Sequence, residues 1–432
     1  MRRRNIVALC LVAAVAITAA ITAGTTLGAT KKTEANSITV WLQVDAQSGW
    51  PTVVKAANAA FAKQNPGVTV NVQYQEWNTH LQKFDATLAG GNTPDVIEMG
   101  NTEMTKYMAA GAFADLTADK SKFPNSSTWL KGLEQSATFD GKLNGVPYYA
   151  GSRVVIYRKD YFKKAGIAST PKSLAQLVSD GKKLMSTYNS DKTFSAFYVA
   201  GPDWYSAMSF VYDFGGQIAT SQGGQWTGTL DQPRALAGLT AYKNTFLALS
   251  RASKTQDEAH PFPTTPFAQG HSASFLGPGW QYGYALDPKA GNPDLKSTIS
   301  AFAMPSHVAG RTMPAFLGGS DLAIPAASPN KDLAEAWIAD FTSTAAQAGI
   351  VKAGNIPNST ALLRLVKGTP GTQLATAAKS TWFVPTAKNW ANVENANVLR
   401  NMLTQILTGK KSVQAAAQSA SKQITSMLNA ST

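Results

Sequence analysis

Residues 68–101 read VTVNVQYQEWNTHLQKFDATLAGGNTPDVIEMGN, and this stretch decides the fold class. Apolar residues alternate along 68–74, as in a half-exposed strand, while 96–100 is a short apolar run that ends in glycine, as in a buried strand. Between them, 78–89 has the apolar spacing of an amphipathic helix. The succession strand, helix, strand is typical of an α/β protein with a parallel sheet.

The same pattern extends toward the N-terminus. SITVWLQVD, residues 37–45, predicts a strand, and Pro51 begins a helix that Asn65-Pro66-Gly67 ends. These elements predict an open α/β sheet, in which ligands bind at the carboxyl ends of the strands. The candidate ligand-binding residues at those ends are Asp45, Gln47, Trp77 and Asn101.

The chain is too long for one ordinary core, so its 432 residues predict two lobes. Helical stretches alternate with loops rich in glycine, proline and aromatic residues over 169–300. FLGGSDLAIP, residues 316–325, then returns as a strand, and the following helix carries an apolar stripe that includes Trp337, predicted to be a core residue. An α/β pattern that is interrupted and then resumed predicts two lobes that share the chain discontinuously.

The N-terminus has the features of an export signal. Three arginines at 2–4 precede an apolar run over 6–23, and small and polar residues follow it. Residues 1–29 are therefore predicted to be a signal peptide, cleaved after Gly28 or Ala29. Because the apolar run is about 18 residues long, the lower limit for a membrane span, an uncleaved anchor is the alternative.

Cysteine and charge exclude several classes of function. The only cysteine, Cys10, lies inside the signal, so disulfides, cysteine metal sites and a cysteine nucleophile are not expected in the mature chain. The formal net charge is +13, but the cations are scattered rather than gathered on one face with aromatic residues. This distribution favours a solvated basic surface, suited to an anionic cell envelope, over a nucleic-acid partner.

Four segments carry a resemblance to a known family: FAKQNPGVTVNVQY, GGNTPDVIEMGNTEMTKYMAAGAFADLT, YYAGSRVVIYRKDYFKKAGI and FLGGSDLAIP. In this order they resemble the family 1 extracellular solute-binding proteins of bacterial ABC importers, which include the maltose-binding protein. The resemblance extends over nearly all of the chain after the signal. EMGNTEMTKYMAAGAFADLT and YYAGSRVVIYRKD are most similar to actinobacterial proteins that bind chitobiose and related oligosaccharides.

The resemblance implies a two-lobed clamp, the type II periplasmic-binding-protein fold, that closes on a sugar and delivers it to a membrane permease. It implies a monomer at the extracellular face of the cell membrane, with no cofactor and no catalysis. A separate subunit would hydrolyse ATP, and no G-x-x-x-x-G-K-[ST] loop occurs in this sequence. The implied N-terminal lobe holds residues 36–150 and 306–343, and the implied C-terminal lobe holds 151–305 and 344–432.

A sugar site needs flat aromatic rings for the apolar face of a pyranose, together with polar groups for its hydroxyls. Trp280 lies in a Gly-Pro-Gly loop, where core packing alone explains a large ring poorly. By resemblance, Trp204 and Tyr205 stand where the family places a stacking aromatic, with packing at a helix start as the alternative. Trp390 corresponds to the aromatic of the family's last cleft segment.

Three further candidates lie near the implied lobe crossings. Tyr149 would face the cleft at the end of the first lobe, and glycine in Ala150-Gly151-Ser152 would permit hinge rotation. Arg153 would contact the ligand or form an interlobe or hinge ion pair. Asp321 would reach the cleft or cap the preceding Gly-Gly turn.

Other functions remain as alternatives. A secreted glycosidase needs two carboxylates at a defined separation, and the 26 acidic residues are enough to supply them. A binder of ferric iron, phosphate or a polyamine is the closer alternative. A serine hydrolase is disfavoured because no G-x-S-x-G motif occurs, and a zinc site because the four histidines stand singly.

Overall fold

The computed structural model describes residues 37–316 and 318–430, so the predicted signal peptide and its alternative as an anchor lie outside the described residues. None of the described helices is both long and apolar enough to span a membrane. The strands are β1 Ser37–Gln43, β2 Thr69–Gln75, β3 Val96–Gly100, β4 Thr138–Phe139, β5 Lys142–Leu143, β6 Val146–Gly151, β7 Arg153–Arg158, β8 Ala219–Gln222, β9 Gln225–Gly228, β10 Ser274–Pro278, β11 Ile299–Phe302, β12 Ala315–Phe316, β13 Gly318–Ala323, β14 Ile356–Pro357 and β15 Thr381–Trp382. The α-helices are α1 Val44–Gly49, α2 Pro51–Gln64, α3 His80–Gly90, α4 Met104–Ala109, α5 Lys131–Ser136, α6 Lys159–Lys164, α7 Leu174–Thr187, α8 Trp204–Asp213, α9 Pro233–Leu249, α10 Thr264–Ala268, α11 Trp280–Tyr284, α12 Lys331–Phe341, α13 Thr344–Lys352, α14 Gly368–Ala377, α15 Trp390–Asn395, α16 Val398–Leu407 and α17 Val413–Leu428.

The larger sheet has six strands in the order β14-β6-β13-β3-β1-β2. β1 pairs in parallel with both β2 and β3, as the strand and helix pattern predicts. The returning segment forms β13, which enters the same sheet antiparallel, between β3 and β6. The carboxyl ends of β1, β2 and β3 therefore meet at one edge of this sheet.

Helices α2 and α12 pack on the larger sheet and supply part of its hydrophobic core. α2 begins at Pro51, whose missing N–H costs nothing at a helix start, and it buries Val53, Val54 and Phe61. The predicted apolar stripe of α12 is confirmed, and Trp337 is a core residue whose indole Nε1 donates to Asn58 Oδ1 at 2.8 Å. These residues share one hydrophobic cluster.

The smaller sheet has three antiparallel strands in the order β10-β7-β11. Its central strand β7 carries the run Val154-Val155-Ile156, which is fully buried in a second, larger hydrophobic cluster. That cluster also contains the apolar faces of α8, α9, α16 and α17. The run after the two tyrosines is thus the centre of a second sheet, and its position explains why the residues are apolar.

Only Ser152 separates β6 of the larger sheet from β7 of the smaller sheet. The chain later returns to the larger sheet as β13 and again as β14, which pairs with β6. Ile350 of α13 packs in the cluster of the larger sheet, so residues 344–357 contact that sheet although the sequence placed them in the second lobe. The lobe boundaries given above stay a prediction.

Candidate ligand-binding cleft

A cleft of about 1200 Å³, including its open mouth, lies at the carboxyl ends of the parallel strands. It is also bordered by residues of β7, α8 and α11, which belong to the part of the chain around the smaller sheet. Seven of the predicted site residues line it: Asp45, Trp77, Asn101, Tyr149, Arg153, Tyr205 and Trp280. The structure thus brings together side chains that are as many as 235 positions apart in the sequence.

Asp45 and Trp77 form a hydrogen-bonded pair at one side of the cleft. β1 ends at Gln43, and the short helix α1 carries Asp45 to the place where the Trp77 indole Nε1 donates to its Oδ2 at 2.6 Å. Burial raises the pKa of Asp45 to about 6, although the Trp77 hydrogen bond and the charge of Arg153 lower it in part. Trp77 is half-buried and meets the ring of His80 at nearly a right angle, with centroids 5.2 Å apart, so part of its surface remains open to a ligand.

Arg153 lies over the ring of Tyr205 in the cleft. The guanidinium carbon is 4.5 Å from the ring centroid, within the range of a cation–π contact. Trp204 stacks on Tyr205, with ring centroids 3.9 Å apart, and Phe316 packs against Tyr205 with centroids 4.8 Å apart. Among the described residues, Arg153 makes no ion pair, which leaves its N–H donors available to a bound hydroxyl pair.

Trp280 and Phe262 form an apolar wall. Their rings meet edge to face with centroids 5.6 Å apart, and Tyr284 packs on Trp280 at 5.9 Å. Trp280 begins α11 directly after the Gly-Pro-Gly loop and is only 5% exposed, because it also packs in the hydrophobic cluster of the larger sheet. Trp280 therefore serves both the cleft and the core.

Tyr149 is a nearly buried residue of the cleft lining. It is 6% exposed, and its ring meets the edges of Trp50 at 5.2 Å and of Tyr148 at 4.8 Å. Burial raises its pKa well above the ordinary value, which keeps its hydroxyl protonated and able to donate to a ligand.

Sequence reasoning missed several lining residues. Arg400 holds Glu258 in a bidentate pair, both contacts being 2.9 Å, and these residues are 142 positions apart, so no local pattern indicates them. Asn355 also lines the cleft and has no local signal. Phe262 lies in the proline-rich segment HPFPTTP, where an isolated aromatic was the one available indication.

Four predicted residues do not line this cleft. Gln47 is exposed on α1. Asp321 is fully buried and accepts a hydrogen bond from Ser136 Oγ at 2.8 Å, and burial raises its pKa to about 8. Trp204 stacks on Tyr205 at the start of α8, which agrees with the alternative of packing at a helix start, and it borders an adjoining pocket together with Trp77 and Tyr205. Trp390 is 1% exposed, and its indole donates to Glu394.

No group of three or more histidine, cysteine or acidic side chains in 37–316 and 318–430 is arranged to hold a metal ion. The buried His80 is instead paired with Glu103, Nε2 to Oε2 at 2.9 Å, and His260 with Asp257 at 2.7 Å. The polar groups of the cleft include carboxylates, amides, guanidinium groups and the phenols of Tyr149 and Tyr205, interleaved with aromatic rings. This combination is suited to a polar organic solute.

Two sheets with separate cores, a chain that passes repeatedly between them and a cleft lined from both define the class of two-lobed solute-binding proteins. Residues 43–348 match the family model described as "Bacterial extracellular solute-binding protein". The chain belongs to this family.

Individual relatives agree with that assignment. The diacetylchitobiose-binding protein DasA of Streptomyces coelicolor is 34% identical over 385 residues, which cover 88% of each chain. In structure, the GacH receptor of Streptomyces glaucescens, solved unliganded and with acarbose, superposes with a TM-score of 0.80 at 18% identity and covers 92% of this chain and 99% of its own. A maltose-bound MalE3 of T. maritima gives a TM-score of 0.78 at 22% identity, over 90% and 98%. The two structural likenesses establish the two-lobed fold.

Proposed function

We propose that this chain is the extracellular substrate-binding component of an ABC importer for an oligosaccharide of the N,N′-diacetylchitobiose type. It would capture the sugar in the cleft, as a monomer at the cell envelope, and deliver it to membrane permease subunits. The observation that carries the proposal is the set of rings at the cleft, Trp77, Tyr149, Tyr205 and Trp280, interleaved with Asp45, Asn101 and Arg153. The 34% identity to a diacetylchitobiose-binding protein supports this sugar class.

The physical scale of such a site is sufficient. Each ring that covers a pyranose face removes on the order of 100 Å² of apolar surface from water, worth about 2 to 3 kcal/mol. Two or three rings then contribute about 4 to 9 kcal/mol. With a few hydrogen bonds this is comparable with the roughly 8 kcal/mol that corresponds to micromolar affinity. The cleft supplies both kinds of contact.

A cationic solute such as a polyamine is the second candidate, because Asp45, Glu76, Asp257 and Glu258 line the same cleft. However, Arg400 already neutralises Glu258, and the guanidinium of Arg153 lies in the cleft itself. These two positive charges offset part of the carboxylate charge and make the cleft less favourable to a polycation.

The test is a thermal-shift and calorimetric comparison of six solutes on the mature protein: N,N′-diacetylchitobiose (called chitobiose below), cellobiose, maltose, trehalose, spermidine and ferric citrate. A ligand that binds the folded state alone raises its melting temperature, and at 100 times Kd the gain is about 2.7 kcal/mol. We expect the largest shift with chitobiose, and no hydrolysis of it on prolonged incubation. Stabilisation by spermidine or iron with none by any sugar would contradict the carbohydrate proposal, and turnover would contradict the assignment as a binder.

A further inference from the structure

Asn355 is a buried amide at the cleft whose hydrogen-bonding capacity is unused. The residue is 2% exposed and lines the cleft, yet neither its side-chain Nδ2 nor its Oδ1 has a hydrogen-bond partner among the described residues. Buried polar groups are nearly always paired, because an unpaired one has lost its bonds to water and gained nothing in exchange. An unpaired amide at a binding cleft is therefore a candidate ligand contact.

The backbone holds this amide in a fixed place. Helix α13 ends in a Schellman motif: Gly354 has a φ of +98° and its N–H bonds to Val351 O at 2.9 Å, while the Asn355 N–H bonds to Ile350 O at 3.1 Å. The next residue, Ile356, pairs with Ala150 in the larger sheet. Asn355 lies between two hydrogen-bonded anchors, so its side chain needs little ordering when a ligand arrives.

The same turn brings the amide close to the apolar wall. A Cβ atom added to Gly354 would lie 2.4 Å from Gly279 O and 3.0 Å from Trp280 N, so the two backbones are in direct contact. Asn355 and Trp280 follow these glycines and both line the cleft, and Phe262 packs on Trp280. A hydrogen-bonding amide and an apolar ring surface thus share one end of the cleft.

An acetamido group matches this pairing of surfaces. Its trans amide directs an N–H donor and a carbonyl acceptor to opposite sides, so either one can bond to the amide of Asn355, and it carries a methyl group that gains from contact with rings. A hydroxyl at the same sugar carbon has no methyl group. We propose that Asn355 is the specificity-determining residue for an N-acetylated sugar, with Trp280 and Phe262 covering the acetamido methyl.

This inference rests on the proposed function, and a matched ligand pair separates the two. Chitobiose and cellobiose share the β-1,4-linked pyranose frame and differ in the group at C2. Calorimetry on the wild type and on Asn355→Ala is expected to show an affinity for chitobiose reduced about 10- to 100-fold, with less than about threefold change for cellobiose. If the wild type binds neither sugar, the proposed function itself is contradicted.

Stability of the unliganded protein gives a second readout. Because the Asn355 amide is unpaired, the Ala variant is expected to keep or raise the melting temperature. Asn358→Ala is the matched control, since Asn358 is also buried but its Nδ2 donates to Pro147 O at 2.8 Å and it does not line the cleft. That variant should lower the melting temperature and leave the ratio of the two affinities unchanged.

Three results would overturn the inference: equal losses for both sugars, a chitobiose Kd within about threefold of wild type, or a destabilised Asn355→Ala like that of the control. If cellobiose binds too weakly to measure in the wild type, the chitobiose Kd of Asn355→Ala is the deciding value, and a Kd within about threefold of wild type contradicts the inference. A preference for the N-deacetylated disaccharide over chitobiose would also contradict it, because the neutral amide of Asn355 has no negative charge to pair with an ammonium group.

Discussion

At the residue scale, the tryptophans of the cleft differ in how much they also stabilise the fold. Trp280 is 5% exposed and part of a hydrophobic cluster, so Trp280→Ala is expected to remove core packing as well as ligand contact. Trp77 is half-buried and its main polar contact is Asp45, itself a cleft residue. Trp77 is thus the cleaner probe of ring stacking.

We expect Trp77→Ala to weaken chitobiose binding by at least about tenfold, because a ring face worth about 2 kcal/mol is lost. The melting temperature should fall by less than in Trp280→Ala, whose cavity in the core is the larger. Isothermal calorimetry and thermal unfolding of both variants measure these effects.

Trp226 offers a control of equal size. It is half-buried in β9 and does not line the cleft. Trp226→Ala should leave the affinity unchanged. An unchanged affinity in Trp77→Ala as well would assign Trp77 a purely structural role.

At the scale of single elements, short segments decide where the cleft residues point. The sequence predicted a strand through Asp45, but the strand ends at Gln43 and one turn and a half of helix follows. Six residues are too few for helical periodicity to show in a sequence pattern. That turn places Asp45 at the cleft and leaves Gln47 exposed, which alternation along a strand does not predict.

The end of α13 is a second such segment, and Gly354→Ala tests it. A methyl group there meets both a positive φ and the carbonyl of Gly279, so the variant should lose at least about 1 kcal/mol of unfolding free energy. Because the turn carries Asn355 beside Trp280, chitobiose affinity should fall too. Chemical denaturation and calorimetry give the two values.

Gly310→Ala is the control that separates backbone strain at a positive φ from a steric clash of the added methyl group. Gly310 also has a positive φ, +79°, but a Cβ atom there has nothing within 4 Å, and the residue does not line the cleft. Gly310→Ala should lower the unfolding free energy because of the backbone strain, and it should leave the affinity for the sugar unchanged. Equal sugar affinities in Gly354→Ala and Gly310→Ala would show that the contact with Gly279 does not shape the cleft.

At the scale of the whole molecule, a hydrogen bond between the loop after β3 and helix α15 is sensitive to pH. Thr102, just after β3, donates from Oγ1 to Glu394 Oε1 of α15 at 2.8 Å. Burial, together with the nearby carboxylate of Glu103, raises the pKa of Glu394 to about 8, against the opposing effects of Thr102, Trp390 and His80. Glu394 is thus protonated at neutral pH in the folded protein.

Stability should therefore fall in alkaline solution. The pKa in the folded protein lies above the usual glutamate value of 4.5, so the stabilisation is complete below about pH 4.5 and is lost as pH rises through about 8. Glu394→Gln keeps an acceptor for Thr102 without the proton. The unfolding free energy of the variant should gain at least about 1 kcal/mol on wild type between pH 5 and pH 9.

Thermal and chemical unfolding at several pH values between these limits measure the difference. Arg400 also lines the adjoining pocket, but it is held by Glu258 in the bidentate pair. Parallel pH curves for wild type and Glu394→Gln would show that this carboxyl group does not set the alkaline dependence.

The sequence by itself determined the parts whose cause is local. Alternation, helical spacing and Pro51 predicted β1 to β3 and α2, and the returning run near 318–323 predicted β13, because each pattern records which face of one segment is buried. The resemblance of ordered segments indicated the family and the two-lobed fold, both confirmed. The position of polar and aromatic residues at strand ends correctly brought Asp45, Trp77 and Asn101 to one place.

Only the tertiary structure decided which distant side chains meet. β13 changes register between Ser320 and Asp321, and both residues are fully buried, so alternation could not tell that Asp321 points to Ser136 rather than to the cleft. Arg400 and Glu258 pair although they are 142 residues apart, and the close approach of the Gly354 and Gly279 backbones brings the turn before Asn355 next to the segment that carries Trp280. Contacts between such distant residues depend on how whole helices and strands pack against one another, and no single segment of the sequence contains that information.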